Sequence, residues 1–125
     1  MKKNLLLLLI LILGMTTLNA QNTEKLLRHV VLFKFKDAST ASDIKKVEEA
    51  FRALPTKINT IKAFEWGTNN SPENLNQGFT HCFFVSFASE KDRELYLPHP
   101  DHKAFGSVLG PHLDKVLVID YWAEK

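Results

Sequence analysis

The sequence predicts an α+β fold: a ferredoxin-like β-α-β-β-α-β chain with both helices on one face of an antiparallel sheet. Three observations support it. Four short segments are rich in β-branched and aromatic residues, as strands are. Two intervening segments space their apolar residues as amphipathic helices do. Their order along the chain is that of the split βαβ motif.

Ahead of these elements stands "MKKNLLLLLILILGMTTLNA", residues 1–20. It opens with Lys2 and Lys3, continues as an apolar run from Leu5 to Leu13, and closes on small and polar residues up to Ala20. That order is expected of a secretory signal peptide cleaved after Ala20. The run of nine apolar residues is too short for a bilayer span, which needs about 20. An exported protein, periplasmic or secreted, is therefore expected, with no stable membrane association after cleavage. Taking Lys2 and Lys3 from the 16 basic residues leaves 14, equal to the 14 acidic ones. A neutral mature chain has no electrostatic reason to bind nucleic acid. Cys82 is the single cysteine, so export brings no intramolecular disulfide.

Residues 21–26 are a polar lead-in, and residues 27–125 form one domain. "LRHVVLFKFK" (27–36) alternates, with His29, Val31, Phe33 and Phe35 on one face and Arg28, Val30, Leu32 and Lys34 on the other. The first helix takes Thr40 or Ser42 as its N-cap; Ile44, Val47, Phe51 and Leu54 form its apolar stripe, and Pro55 limits it. A second strand covers 61–68, and a polar loop leads to a third at 79–89. There Phe79, His81, Phe83, Val85 and Phe87 share a face. Ser89 caps a second helix, which breaks at Pro98-His99-Pro100 and resumes more loosely from Asp101. The last strand spans 116–123.

The helices are expected to cover the phenylalanine-rich face. The opposite face is expected to carry Val30, Leu32, Cys82, Phe84, Val116, Val118 and Trp122, and no further element remains to cover it. So large an apolar patch implies a partner. A homodimer burying sheet against sheet is the economical answer, with Val30, Leu32, Phe84, Val116, Val118 and Trp122 at its interface.

Tyr96, His99 and His102 recur at intervals of three, the neighbour spacing of a helix surface. They lie over the face that holds His29 and His81. An imidazole titrating near neutrality can take a proton from a carbon next to a carbonyl, and a phenol can steady the resulting enolate. A metal-binding module would instead use His99, Asp101 and His102, yet no fourth donor stands nearby, and no metal is expected.

The stretches "RHVVLFKFK", "GFTHCFFVSFAS" and "YLPHPDHKAFG" leading into "VLVIDYW" resemble, in that order, the stress-responsive dimeric A/B-barrel (Dabb) family, from about Leu27 to Ala123. The resemblance implies a dimeric α/β barrel with sheet packed on sheet. One branch of the family, the plant olivetolic acid cyclase, closes a linear polyketide by aldol condensation without a cofactor. By resemblance His102 would be the general base, Tyr96 its polar partner or proton donor, and His29 and His81 pocket walls. Phe51 stands at the register where the cyclase has a pocket tyrosine. The expected function is a homodimeric small-molecule-binding or scaffold module for a small apolar or carbonyl ligand, using no cofactor. The alternatives are a lyase- or cyclase-type enzyme, and the metal-binding module.

Overall fold

The computed structural model describes residues 24–124; the expected signal peptide, 1–20, lies outside the described residues. The elements are β1 (Leu27–Phe35), α1 (Ala41–Lys57), β2 (Ala63–Thr68), β3 (His81–Phe87), α2 (Glu90–Tyr96), α3 (Pro100–Leu109) and β4 (Leu113–Trp122). The strands form one antiparallel sheet in the order β2-β3-β1-β4. This is the ferredoxin-like arrangement, with the second helix divided in two.

Local chemistry places each helix boundary. At the start of α1 the Asp43 N–H donates to Thr40 Oγ1 at 3.2 Å, while the Thr40 N–H donates back to Asp43 Oδ2 at 3.1 Å. The Thr40 hydroxyl and N–H together hold the Asp43 carboxyl below its ordinary range. α1 then runs past Pro55, which was expected to limit it, and ends at Lys57. A proline there removes one N–H from the last turn, and the Ile58 N–H recloses the ladder onto Leu54 O at 2.9 Å. Between α2 and α3 the break falls at Pro98-His99-Pro100. Pro100 opens α3, where an N–H would have no intrahelical partner. His99 caps the helix, its Nδ1 accepting from the Asp101 N–H at 3.1 Å.

Between the sheet and α1 lies an aromatic core. Val31, Phe33, Phe35, Phe83, Val85 and Phe87 point up from β1 and β3, and Val47, Phe51 and Leu54 point down from α1. The Phe51 and Phe83 rings stack at 4.1 Å, and Phe33 also meets Phe51, Phe83 and Phe105. Each such buried side chain is worth roughly 1.5–3 kcal/mol of transfer free energy.

β4 departs from the sequence reading. Opposed residues of an antiparallel pair share a face, and β1 pairs Leu27 with Trp122, Val31 with Val118 and Phe33 with Val116. Val116, Val118 and Trp122 therefore lie on the helix side, not on the open face expected for them. Leu117, Ile119 and Tyr121 take the open-face positions, beside Leu32, Val30 and Arg28. The stretch "VLVI" is apolar at every position, so it carries no alternation from which to read parity. Val30, Leu32 and Phe84 do lie on the open face.

Candidate functional site

α1 covers β2 and β3, and α3 packs beside α1. Over β1 and β4 the helical layer leaves a cavity of about 700 Å³. Its floor is the helix-side face of His29, Val31 and Phe33 from β1 and Val116, Val118 and Asp120 from β4. The roof is Tyr96 and Leu97 at the end of α2, with His102, Lys103, Phe105, Gly106 and Leu109 of α3; Phe51 closes the α1 side. An apolar chamber of this size with a few convergent polar groups is the usual form of a small-molecule site.

His29 is only 6% exposed, and its ring is held by a carboxylate. The Nδ1–H donates to Asp120 Oδ1 at 2.7 Å, leaving Nε2 as an acceptor in the neutral ring. The other Asp120 oxygen, Oδ2, accepts from Arg93 Nη1 at 2.9 Å. Both carboxylate oxygens of this partly solvated acid are thus engaged.

Tyr96 is fully buried, its ring 4.4 Å from that of His102 and 5.9 Å from that of His29. Burial pushes its phenol up, above the ordinary tyrosine value, so it remains a hydrogen-bond donor at any physiological pH. The His102 Nδ1–H donates to Leu97 O at 2.8 Å. A carbonyl can only accept, so in the neutral ring the proton sits on Nδ1 and Nε2 carries the lone pair. This backbone bond orients His102 without spending the nitrogen that chemistry would need.

His29, Phe51, Tyr96 and His102 are thus brought together as the sequence suggests. His81 is not. It is buried on the same face but beyond the cavity, with Nε2 2.8 Å from Glu48 Oε1 and Nδ1 2.8 Å from Thr80 Oγ1. His99 and His102 each spend Nδ1 locally, His99 accepting from the Asp101 N–H and His102 donating to Leu97 O. Among the described residues no group of three or more His, Cys, Asp or Glu side chains could hold a metal ion. Asp120 was missed from sequence, although an acid inside the apolar run "VLVIDYW" is itself a sign of a buried partner.

A ferredoxin-like sheet with a histidine- and tyrosine-lined cavity under its second helical segment defines an α+β-barrel type of protein. The chain belongs to the family described as the stress responsive A/B barrel domain (Dabb), whose profile matches residues 27–123. A stress-response A/B barrel domain-containing protein of Arabidopsis thaliana is 42% identical over 94 residues, covering 75% of this chain and 86% of the relative. The olivetolic acid cyclase of Cannabis sativa is 33% identical over 101 residues, covering 78% of this chain and 97% of the cyclase. Among solved structures, a dimeric protein of unknown function and ferredoxin-like fold from Bacteroides fragilis superposes with a TM-score of 0.65 at 28% identity. The match covers 78% of this chain and 96% of the other.

Proposed function

We propose that this protein is a homodimeric ligand-binding A/B barrel whose cavity takes a small, largely apolar carbonyl compound. The observation that carries this is the cavity itself. Phe33, Phe51, Phe105 and Leu109 supply apolar walls, while Tyr96, His102 and His29 line the same space. The 33% identical cyclase, named for olivetolic acid, is consistent with a ligand of that class. Dimerisation is supported by the apolar open face of Val30, Leu32, Phe84, Leu117 and Ile119 and by the dimeric Bacteroides structure. Export is retained on the strength of the Lys2-Lys3 start and the Leu5–Leu13 run.

Titration calorimetry with aryl ketones tests the binding reading. Gly106 lines the cavity, and a Cβ there meets nothing within 4 Å, so a side chain has room to start and that of Gly106→Leu would compete with ligand for the space. Saturable binding lost in Gly106→Leu is expected; binding indifferent to that change would overturn the reading. For the dimer, Ile119→Asp is expected to give monomers in light scattering and Val118→Asp to leave the dimer intact.

A second reading, cofactor-independent proton transfer, is favoured by one observation: the His102 ring, oriented through Nδ1 alone, lies 4.4 Å from the Tyr96 ring. His102 would remove a proton from the carbon next to the carbonyl, and Tyr96 would donate a hydrogen bond to the enolate oxygen. Exchange of ketone α-deuterium into water, followed by NMR, should be faster with protein and lost in His102→Gln. Exchange at the background rate would eliminate catalysis and leave binding standing.

A further inference from the structure

We infer that the preferred occupant of the cavity is an amphipathic carboxylate, with its apolar body inside and its anion at Lys103. The inference rests on the cavity being a ligand site and adds the charge of the ligand.

The ionisable groups on the lining are His29, Tyr96, His102, Lys103 and Asp120. Asp120 is already satisfied, with one oxygen on His29 Nδ1 and the other on Arg93 Nη1. Its negative charge is balanced by an arginine that is not itself part of the lining. The Tyr96 phenol is held protonated by burial. His29 and His102 each contribute a ring whose Nδ1 is already spent, on Asp120 and on Leu97 O. That leaves Lys103. Among the described residues its ammonium makes no ion pair or hydrogen bond, and the Ser107 hydroxyl engages only its backbone carbonyl. The adjacent acid, Asp101, lines a different recess on the α1 side of α3 with Leu54 and Lys57.

Lys103 is solvent-exposed yet lines the cavity, so it stands where the apolar wall meets water. A lysine placed this way lays its methylenes along the wall and keeps its ammonium hydrated at the rim. The chamber thus presents one uncompensated positive charge, at its mouth, above an interior of Val31, Phe33, Phe51 and Phe105. A neutral ligand would leave that charge unused, and a cationic one would be repelled. An acid with an apolar tail satisfies both parts at once. The pair forms at a partly solvated rim, so the gain is moderate and falls with salt.

The test displaces the neutral dye nile red from the full dimer with decanoate or decanol, which share a chain and differ in charge. Decanoate is expected to displace the dye at about fivefold lower concentration than decanol, the preference of a half-solvated ion pair. Lys103→Met should equalise the two and Lys103→Glu should reverse them, each referred to that variant's own dye affinity. Because Lys103 is exposed, neither variant disturbs the core. Equal displacement by the two compounds in the unaltered protein, or a preference that survives Lys103→Met, would overturn the inference while leaving the ligand site intact. Failure of both compounds to displace the dye would remove the ligand site, and this inference with it.

Discussion

His29 and His81 stand on the same face of the sheet, buried to a similar degree and each within 2.8 Å of a carboxylate oxygen. Their surroundings nevertheless give them different work. His81 has both ring nitrogens engaged, by Glu48 of α1 and by Thr80, with Phe35 edge-on at 5.0 Å and Trp66 stacked at 6.3 Å. It ties α1 to β3. His29 spends only Nδ1, and its Asp120 partner is shared with Arg93. Its other nitrogen is left to a cavity wall. A buried histidine beside an acid is therefore not a functional signal by itself. The signal is a free ring nitrogen next to unfilled space.

The largest effect should come from the residue that joins the two ends. Phe33 is 1% exposed and pairs with His81 across the sheet, while its ring also lines the cavity with Phe105. Phe33→Ala should cost roughly 3–5 kcal/mol in chemical denaturation, the usual range for emptying a buried phenylalanine site. It should weaken cavity binding as well. A variant that lost one property and kept the other would show that the two ends are less coupled than their shared ring implies.

Exchanging the histidines one at a time separates their roles. His81→Phe strips Glu48, itself only partly solvated, of its hydrogen-bond partner and should cost roughly 1–3 kcal/mol. Nile red affinity should not change. His29→Phe leaves Asp120 paired with Arg93 and should cost only about 1 kcal/mol, while lowering affinity for carbonyl ligands. Denaturation midpoints and dye titrations on the two variants read both quantities. A pattern in which His81→Phe lost the ligand would assign that histidine to the site after all.

The same pair shows why part of this was legible in the sequence and part was not. Strand parity put both histidines on the core face, because Arg28 and Lys34 mark the opposite face of β1. Parity says nothing about position along a strand, however. In the antiparallel register His29 faces Val85 and His81 faces Phe33, four residues apart on each strand. That spacing is about 13 Å, so the two cannot share one small pocket. Tyr96 and His102 were readable from their spacing and the His-Pro-Asp-His segment, whereas helical spacing marked Phe51 only as a core residue and the family resemblance put it at the pocket. Asp120 was not readable, because its partner lies 91 residues away across a strand pair whose central stretch, Val116 to Ile119, carries no polar residue to mark the register. The faces of Val116, Val118 and Trp122 went astray for the same reason.

The smallest effect at neutral pH, and the most informative about the cavity end, belongs to Tyr96. Tyr96→Phe keeps the ring against His102, His29 and Phe87 and removes only the hydroxyl, so the loss should be about 1 kcal/mol or less. Alkaline pH should magnify the difference. Burial raises the folded-state pKa of the phenol above its unfolded value near 10. The protonated phenol is thus favoured in the folded chain, and its contribution is present in full below pH about 10. As pH climbs past that value the unfolded chain ionises while the folded one does not, and stability is lost toward the folded pKa. Tyr96→Phe has nothing to ionise at this position. Its denaturation midpoint should therefore fall less steeply than that of the unaltered protein as pH rises through the unfolded tyrosine value. Parallel curves would mean that the phenol reaches water through the cavity, and the cavity end would then be wetter than the clamp at His81 by more than its lining suggests.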